Sequence, residues 1–118
     1  MPEVRARLDV LIGWLFRSAQ DGSSAHAVER GLFDELLALG KMLFEAFLEL
    51  VGPGDFGESI ALDDGRRVSR LKEQHTRRLL TVFGEFFVSR WVYAQGEKAK
   101  VEFAPTDQRL QLPASEVS

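Results

Sequence analysis

Cysteine is absent from this 118-residue sequence. Its absence excludes a disulfide framework, a thiolate metal site and a cysteine nucleophile, as is typical of proteins in a reducing compartment. Histidine is nearly as scarce, because His26 and His75 are the only two. They lie far apart in the sequence and belong to no known ligand motif. We therefore expect no metal site and no cofactor in this chain.

Long apolar segments are also missing, and no run is long enough to span a bilayer. The first ten residues carry charges and lack the apolar core of a secretory signal. We expect a cytoplasmic protein that has no membrane partner and no small-molecule substrate.

The sequence contains neither a GxxxxGK[ST] phosphate-binding loop nor a GxSxG nucleophile motif. The carboxylates of Glu58, Asp63 and Asp64 could in principle form a two-metal cluster. Asp63 and Asp64 stand immediately before Gly65, however, and this pattern is more typical of a turn. We therefore expect no catalytic residue here, and an enzyme complete in itself requires a metal on these carboxylates.

The net charge of −3 conceals a strong asymmetry along the chain. Residues 1–65 hold five Lys/Arg against twelve Asp/Glu, whereas residues 66–100 hold nine Lys/Arg against three Asp/Glu. Such a basic block can contact DNA phosphates, or it can be solvated surface that keeps sheet edges unpaired. The candidate DNA-binding residues are Arg66, Arg67, Arg70, Lys72, Arg77, Arg78, Arg90, Lys98 and Lys100.

Two amphipathic helices are predicted, over residues 3–18 and 25–51. Ser24 can cap the second helix, and Gly52-Pro53-Gly54 ends it. At about 1.5 Å per residue the second helix is about 40 Å long, and it is too apolar for the first helix alone to cover. Packing of the helical hairpin against the strands, self-association of the helix, or both would bury the apolar surface that remains. The candidate oligomer contacts recur at spacings of four and three up to Leu43, with the last one seven residues further on: Leu32, Leu36, Leu39, Leu43 and Leu50.

Gly31 and Gly40 interrupt the second helix, where each costs about 1 kcal/mol relative to alanine. Close approach of another group would compensate for that cost. The two glycines lie nine residues apart and hence on opposite sides, which predicts two contact surfaces.

Strands are predicted after residue 53. Thr76 to Tyr93 is typical of a β-hairpin with Gly84-Glu85 as its two-residue loop, and its apolar faces suggest cover on both sides near the turn. Asp64-Gly65 predicts another hairpin within residues 59–71, and residues 99–103 a third strand of a meander. The expected fold class is α+β, with a helical hairpin over residues 1–53, an antiparallel β region over 54–104 and an extended tail over 105–118.

Three segments together resemble a known protein family. They are HAVERGLFDELLALGKMLFEAFL, DDGRRVSRL and RLLTVFGEFFVSRWVYAQGEKAKVEFAPTDQRLQLP, within residues 26–113. They are similar to the N-terminal region of bacterial insertion-sequence transposases of the Kra type. The most specific part is FGEFFVSRWVY followed by PTDQRLQLP, which is similar to the family's Pro-Leu-Asp…Leu…Leu-Pro segment, with Thr106 where leucine is usual.

The resemblance implies a parent enzyme that transposes DNA with a metal-binding carboxylate triad located further along a longer chain. None of the present Asp or Glu residues matches that triad, so the resemblance implies a truncated, non-catalytic N-terminal piece. Its expected roles are DNA-backbone binding, multimerisation or both. The alternative is a protein-interaction module, or an inactive transposase remnant, that does not itself bind DNA.

Overall fold

The computed structural model describes residues 1–96 and 99–113. Two helices precede the antiparallel strands, so the predicted α+β class with an N-terminal helical hairpin is confirmed. The elements are α1 (Pro2–Gln20), α2 (Ala25–Val51), β1 (Ser59–Ala61), β2 (Arg67–Arg70), β3 (His75–Thr81), β4 (Gly84–Arg90), β5 (Tyr93–Ala94) and α3 (Pro105–Arg109). They form two compact units. The helical unit contains Met1–Phe47 and Val82–Gly84, and the strand unit contains the remaining described residues.

The helical unit is built on the α1–α2 hairpin. Pro2 starts α1, where its missing N–H has no cost. The predicted cap of α2 is confirmed, because the Ala27 N–H donates to Ser24 Oγ at 3.1 Å. Between the helices, Arg7 donates to Glu35 Oε2 from Nε at 3.0 Å and from Nη2 at 2.8 Å. This ion pair links α1 to α2 at the surface of the hairpin.

The two glycines of α2 permit close approach on different sides, as predicted. A Cβ placed on Gly31 would lie 2.8 Å from two carbons of the Trp14 indole of α1. A Cβ placed on Gly40 would overlap the Phe83 ring at the tip of the β3–β4 hairpin. Phe83 also lies beside Phe44, with ring centroids 6.3 Å apart. Only glycine at these positions lets the aromatic rings rest against the helix backbone.

The strand unit begins with the hairpin that Asp64-Gly65 predicted. β1 and β2 are antiparallel, with Ile60 opposite Val68. Gly65 adopts a φ of +86°, which favours glycine, and Asp64 Oδ1 accepts the Arg66 N–H at 3.0 Å. β5 pairs with the other edge of β2, completing a three-stranded sheet.

Tyr93 of β5 is completely buried, as are its neighbours Val92 and Ala94, and Val68 and Leu71 are almost completely buried. The Tyr93 hydroxyl accepts the Phe56 N–H at 3.0 Å and donates to the carbonyl of Gly57 at 2.7 Å. One side chain therefore anchors the irregular segment that precedes β1.

The hairpin of β3 and β4 is present, but its predicted loop is wrong by two residues. β3 ends at Thr81 and β4 begins at Gly84, so Val82 and Phe83 form the connection. Gly84 has a φ of +122° and closes the turn instead of opening it. The strand partners shift accordingly, with the Thr76 and Ser89 hydroxyl oxygens 2.7 Å apart across the hairpin.

Only one face of this hairpin is buried within the chain. Leu79, Phe86 and Val88 point inward, whereas Leu80 and Phe87 alternate with them and are exposed. The prediction that both faces are covered near the turn is therefore wrong for the outer face. Side chains of successive strand residues point to opposite faces, so an antiparallel pair can leave one face open.

The third strand predicted over residues 99–103 is reduced to a single antiparallel bridge between Tyr93 and Phe103. The tail, predicted to be extended from residue 105, instead begins with the short helix α3. Pro105 occupies the first helical position, where its fixed φ favours a helical turn. Residues 114–118 of the predicted tail lie outside the described residues.

Candidate functional site

The predicted oligomer contacts form a leucine seam on α2, made up of Leu32, Leu36, Leu39, Leu43 and Leu50. α2 contains no buried residue, although it is the longest element of the chain. Leu36, Leu43 and Leu50 are 50%, 43% and 74% exposed, and they recur every seven residues. Leu32 and Leu39, in the other half of the repeat, are half-buried. The chain's own folding therefore covers one half of the seam and leaves the other half open.

A second set of exposed apolar side chains lies on α1, outside the predicted oligomer contacts of α2. Leu8, Ile12, Leu15 and Phe16 are all exposed. The first three recur at spacings of four and three, as the leucines of α2 do. The sequence signal was present, but the helical spacing of these residues is equally typical of packing inside the hairpin. The structure shows that the hairpin leaves them open.

A charged groove lies between α1 and α2 and encloses about 540 Å³. Apolar residues Val10, Leu11 and Trp14 contribute to its lining. Its charged lining residues are Arg7 and Arg17 from α1 and Asp34 and Glu35 from α2. The groove therefore carries charges of both signs, whereas the exposed side chains of the leucine seam are apolar.

Several arginines of the basic block are held in ion pairs. Arg66 pairs with Asp64 on its own turn and with Glu102. Arg70 donates to Asp55 Oδ1 at 2.5 Å. The Arg70 guanidinium also lies over the Trp91 ring, 4.8 Å from its centroid. These guanidinium groups already have acidic partners, so phosphate contact would have to compete with them.

The hydrogen bonds of Asp64 and Asp55 confirm that these carboxylates are occupied. The Arg66 backbone N–H, followed by its side chain, holds the pKa of Asp64 below its ordinary value. The Gly57 N–H and then Arg70 lower the pKa of Asp55 in the same way. Asp64 therefore has the turn chemistry that its position before Gly65 predicts.

Arg77 and Arg90, on neighbouring strands of the hairpin, converge on Asp107 of α3. Arg90 is bidentate, with Nε 2.9 Å from Oδ1 and Nη2 3.0 Å from Oδ2. Arg77 Nη1 lies 3.1 Å from Oδ2 and donates to the Pro113 carbonyl at 3.0 Å. The side chains of Arg77, Arg90 and Asp107 are only 6%, 11% and 18% exposed. This cluster attaches α3 to the hairpin and leaves these two arginines little access to DNA.

Burial and the two arginines act in opposite directions on the pKa of Asp107. Burial by itself would raise the pKa of Asp107. The hydrogen bonds and positive charges of Arg90 and Arg77 outweigh burial and hold the pKa below its ordinary value. The carboxylate is therefore ionised at neutral pH.

The four remaining candidate DNA-binding residues that the structure describes are exposed. Arg78 lies 3.5 Å from Glu85 on the outer face of the hairpin. Arg67 donates to Ser59 Oγ at 2.9 Å, and the side chains of Lys72 and Lys100 are exposed. Lys98 lies outside the described residues. The residues of the basic block therefore do not come together at one site. Arg77 and Arg90, which do lie together, are buried around Asp107.

Two of the carboxylates considered for a metal, Asp63 and Asp64, help line a cavity of about 340 Å³. Within residues 1–96 and 99–113, no group of three or more His, Cys, Asp or Glu residues could hold a metal ion. A search of the same residues finds no helix with the length and hydropathy required to cross a membrane.

Comparison with known proteins adds no relative from which a role could be transferred. No protein-family model, no curated protein sequence and no solved structure matches this chain.

Proposed function

We propose that this chain is the non-catalytic N-terminal part of a cytoplasmic DNA transposase, and that it serves to assemble copies of that protein. The resemblance of residues 26–113 to Kra-type transposases supports the parentage. The observation that carries the assembly role is the exposed half of the leucine seam on α2. The proposal contains no catalytic step, because none of the Asp and Glu residues of this chain matches the carboxylate triad that the resemblance implies.

Large apolar side chains are costly to leave in water. Burying a leucine side chain fully is worth about 1.5–3 kcal/mol relative to leaving it exposed. Single exposed leucines are common on protein surfaces. Leucines spaced seven residues apart on one helix fit a second helix, because each leucine side chain can pack between side chains of the partner helix. Leu36 and Leu43 of the helical unit have this spacing and remain exposed. A helix of another copy would satisfy both.

Sedimentation velocity of the chain and two lysine variants tests this proposal. Leu36→Lys and Leu43→Lys place a charge in the open half of the seam, and both side chains are already partly hydrated in the single chain. We expect both variants to stay folded by circular dichroism and to sediment as monomers where the original chain is dimeric. Val10→Lys is the matched control, since Val10 is an exposed apolar residue of the charged groove. Equal association of the seam variants and the original chain would overturn the assembly role.

DNA-backbone binding is the second part of the proposal. It rests on the exposure of the Arg67, Lys72 and Lys100 side chains, whereas Arg77 and Arg90 are buried beside Asp107. Phosphate contacts release counterions, so affinity for duplex DNA should fall linearly with the logarithm of salt concentration. Three contacts correspond to a slope of about −2.7.

Fluorescence anisotropy with labelled duplex DNA across a salt series measures this slope. We expect the triple variant Arg67→Gln, Lys72→Gln, Lys100→Gln to lose most of the binding. Failure to bind at low salt would instead favour the alternative, a protein-interaction module or an inactive remnant. The ion pairs of Arg66, Arg70, Arg77, Arg78 and Arg90 are the specific observation that supports this alternative.

A further inference from the structure

The cluster around Asp107 has the geometry of an anion-binding site. Arg90 is bidentate on the carboxylate, with Nε 2.9 Å from Oδ1 and Nη2 3.0 Å from Oδ2. Arg77 adds a third donor, with Nη1 3.1 Å from Oδ2. Two guanidinium groups from neighbouring strands therefore bind the two oxygens of one carboxylate. The same planar groups bind phosphate, because a phosphodiester also presents a pair of charged oxygens.

The two arginines belong to the β3–β4 hairpin, whereas the anion belongs to a separate segment. Arg90 Nη1 donates to the His75 carbonyl at 2.8 Å, so β3 holds this guanidinium in place independently of α3. The groups that close the site all follow residue 104. They are the carboxylate of Asp107 and the carbonyl of Pro113, which accepts from Arg77 Nη1 at 3.0 Å. Displacement of this one segment would remove both groups together.

The helix α3 that carries the anion is short. It contains only the five residues Pro105–Arg109. Isolated helices shorter than about 12–15 residues are marginal in water, so α3 depends on its contacts with the rest of the strand unit. Pro105 and Thr106 are buried, and Thr106 Oγ1 donates to the Gly52 carbonyl at 2.9 Å. The ion pairs of Asp107 are the remaining attachment, and a competing anion acts on them directly.

The surroundings of the arginine pair favour DNA as the source of such an anion. Lys72 and His75 line the same cavity of about 290 Å³, and His75 is the residue whose carbonyl holds Arg90. Lys72 is exposed and belongs to the surface proposed above to contact DNA. A DNA backbone carries a row of phosphates, so one that binds at Lys72 brings further phosphates towards the arginine pair. A free phosphate ion lacks this added attraction.

We propose that Arg77 and Arg90 form a phosphate site for the DNA backbone, and that α3 closes this site with the carboxylate of Asp107. This inference rests on the proposed DNA-backbone binding and adds two contacts to it. Asp107 occupies the place of the phosphate, so α3 is an autoinhibitory segment. A DNA phosphate that exchanges with Asp107 displaces α3 from the hairpin.

Chemical rescue tests whether the arginine pair binds phosphate. Asp107→Ala removes the carboxylate and leaves room for an anion, while alanine preserves the helical preference of α3. Urea unfolding is followed by circular dichroism in sodium phosphate and in sodium chloride of equal ionic strength. Asp63→Asn is the matched control, because it removes one negative charge from an exposed residue of the β1–β2 turn.

A ligand that binds only the folded protein stabilises it by mass action. We therefore expect phosphate to raise the urea midpoint of Asp107→Ala more than that of the original chain or of Asp63→Asn. If Asp107→Ala is unfolded in chloride, phosphate should restore its circular dichroism. An equal response of all three proteins, or no recovery of an unfolded Asp107→Ala, would overturn the phosphate site.

Fluorescence anisotropy with duplex DNA identifies the source of the phosphate. Two added contacts should steepen the salt slope from about −2.7 in the original chain to about −4.5 in Asp107→Ala. Adding Arg77→Gln and Arg90→Gln to that variant should return the slope to about −2.7. If the slopes of Asp107→Ala and Asp63→Asn are equal although the original chain binds DNA, the autoinhibitory role is wrong. Phosphate rescue without DNA binding by any of these proteins would instead refute the proposed DNA binding and identify free phosphate as the ligand.

Discussion

Alanine at Gly31 is expected to destabilise the protein, although alanine is the better helix former. The helical preference alone would stabilise α2 by about 1 kcal/mol. The added Cβ, however, would lie 2.8 Å from Cζ2 and Cη2 of Trp14, well inside the usual carbon–carbon separation of about 3.5–4.0 Å. Overpacking of this kind costs about 1–3 kcal/mol. We therefore expect a net loss of up to about 2 kcal/mol in the free energy of unfolding.

Gly13 provides a matched control on α1. A Cβ there would meet only Arg17 Nη1, at 3.2 Å, and this flexible side chain can move away. Gly13→Ala should therefore stabilise the protein by up to about 1 kcal/mol. Urea unfolding, followed by circular dichroism for the helices and by tryptophan fluorescence, measures both variants on the same scale.

A second variant isolates the cause. Trp14→Leu removes the two indole carbons that the new Cβ would meet, so Gly31→Ala should be far less harmful in that background. The two substitutions should therefore show a coupling energy of about 1 kcal/mol or more. If Gly31→Ala stabilises as much as Gly13→Ala does, or costs the same with and without Trp14, the close-packing account of α2 is wrong.

Three other contacts can be tested by substitution. Gly40→Ala should lower the free energy of unfolding by up to about 2 kcal/mol, because its Cβ overlaps Phe83, and Phe83→Leu should reduce that loss; an unchanged loss would contradict the contact. Asp107→Asn should cost up to about 3 kcal/mol at pH 7 by urea unfolding, because it leaves Arg77 and Arg90 without their carboxylate. The folded pKa of Asp107 is lowered, so its stabilisation is present above the unfolded pKa of about 3.9 and is lost as pH falls through the folded value; a gap between the two proteins that is as large at pH 3 as at pH 7 would refute this. Tyr93→Phe should cost about 0.5–1.5 kcal/mol in the same assay, since it removes the hydrogen bonds of the Tyr93 hydroxyl with the Phe56 N–H and the Gly57 carbonyl, and a neutral result would contradict the anchoring role of this hydroxyl.

Local patterns explain which parts of the fold were predictable from the sequence. The bounds of α2 follow from its apolar periodicity, the Ser24 cap and the glycines and proline after Val51, all of which act within a few residues. The position of the β3–β4 turn was predicted wrongly, because a single glycine can occupy either the first position of the loop or the position that closes the turn. Its sequence neighbours favour neither position.

The ion pairs could not be predicted because they join distant residues. Asp107 is 17 residues from Arg90 and 30 residues from Arg77, and no periodicity relates the three. The charge count therefore indicated a basic block for DNA, whereas the fold uses several of its arginines to hold loops and α3. In contrast, the leucine seam was visible in the sequence, and only its division into covered and open halves required the structure.

Sedimentation equilibrium of the unmodified chain measures whether copies of this protein associate at all. The chain has a mass of 13.3 kDa. Across a series of protein concentrations, we expect the fitted mass to rise to about twice this value, as a two-fold dimer requires. A fitted mass that stays at that of the single chain at the highest concentration would contradict it.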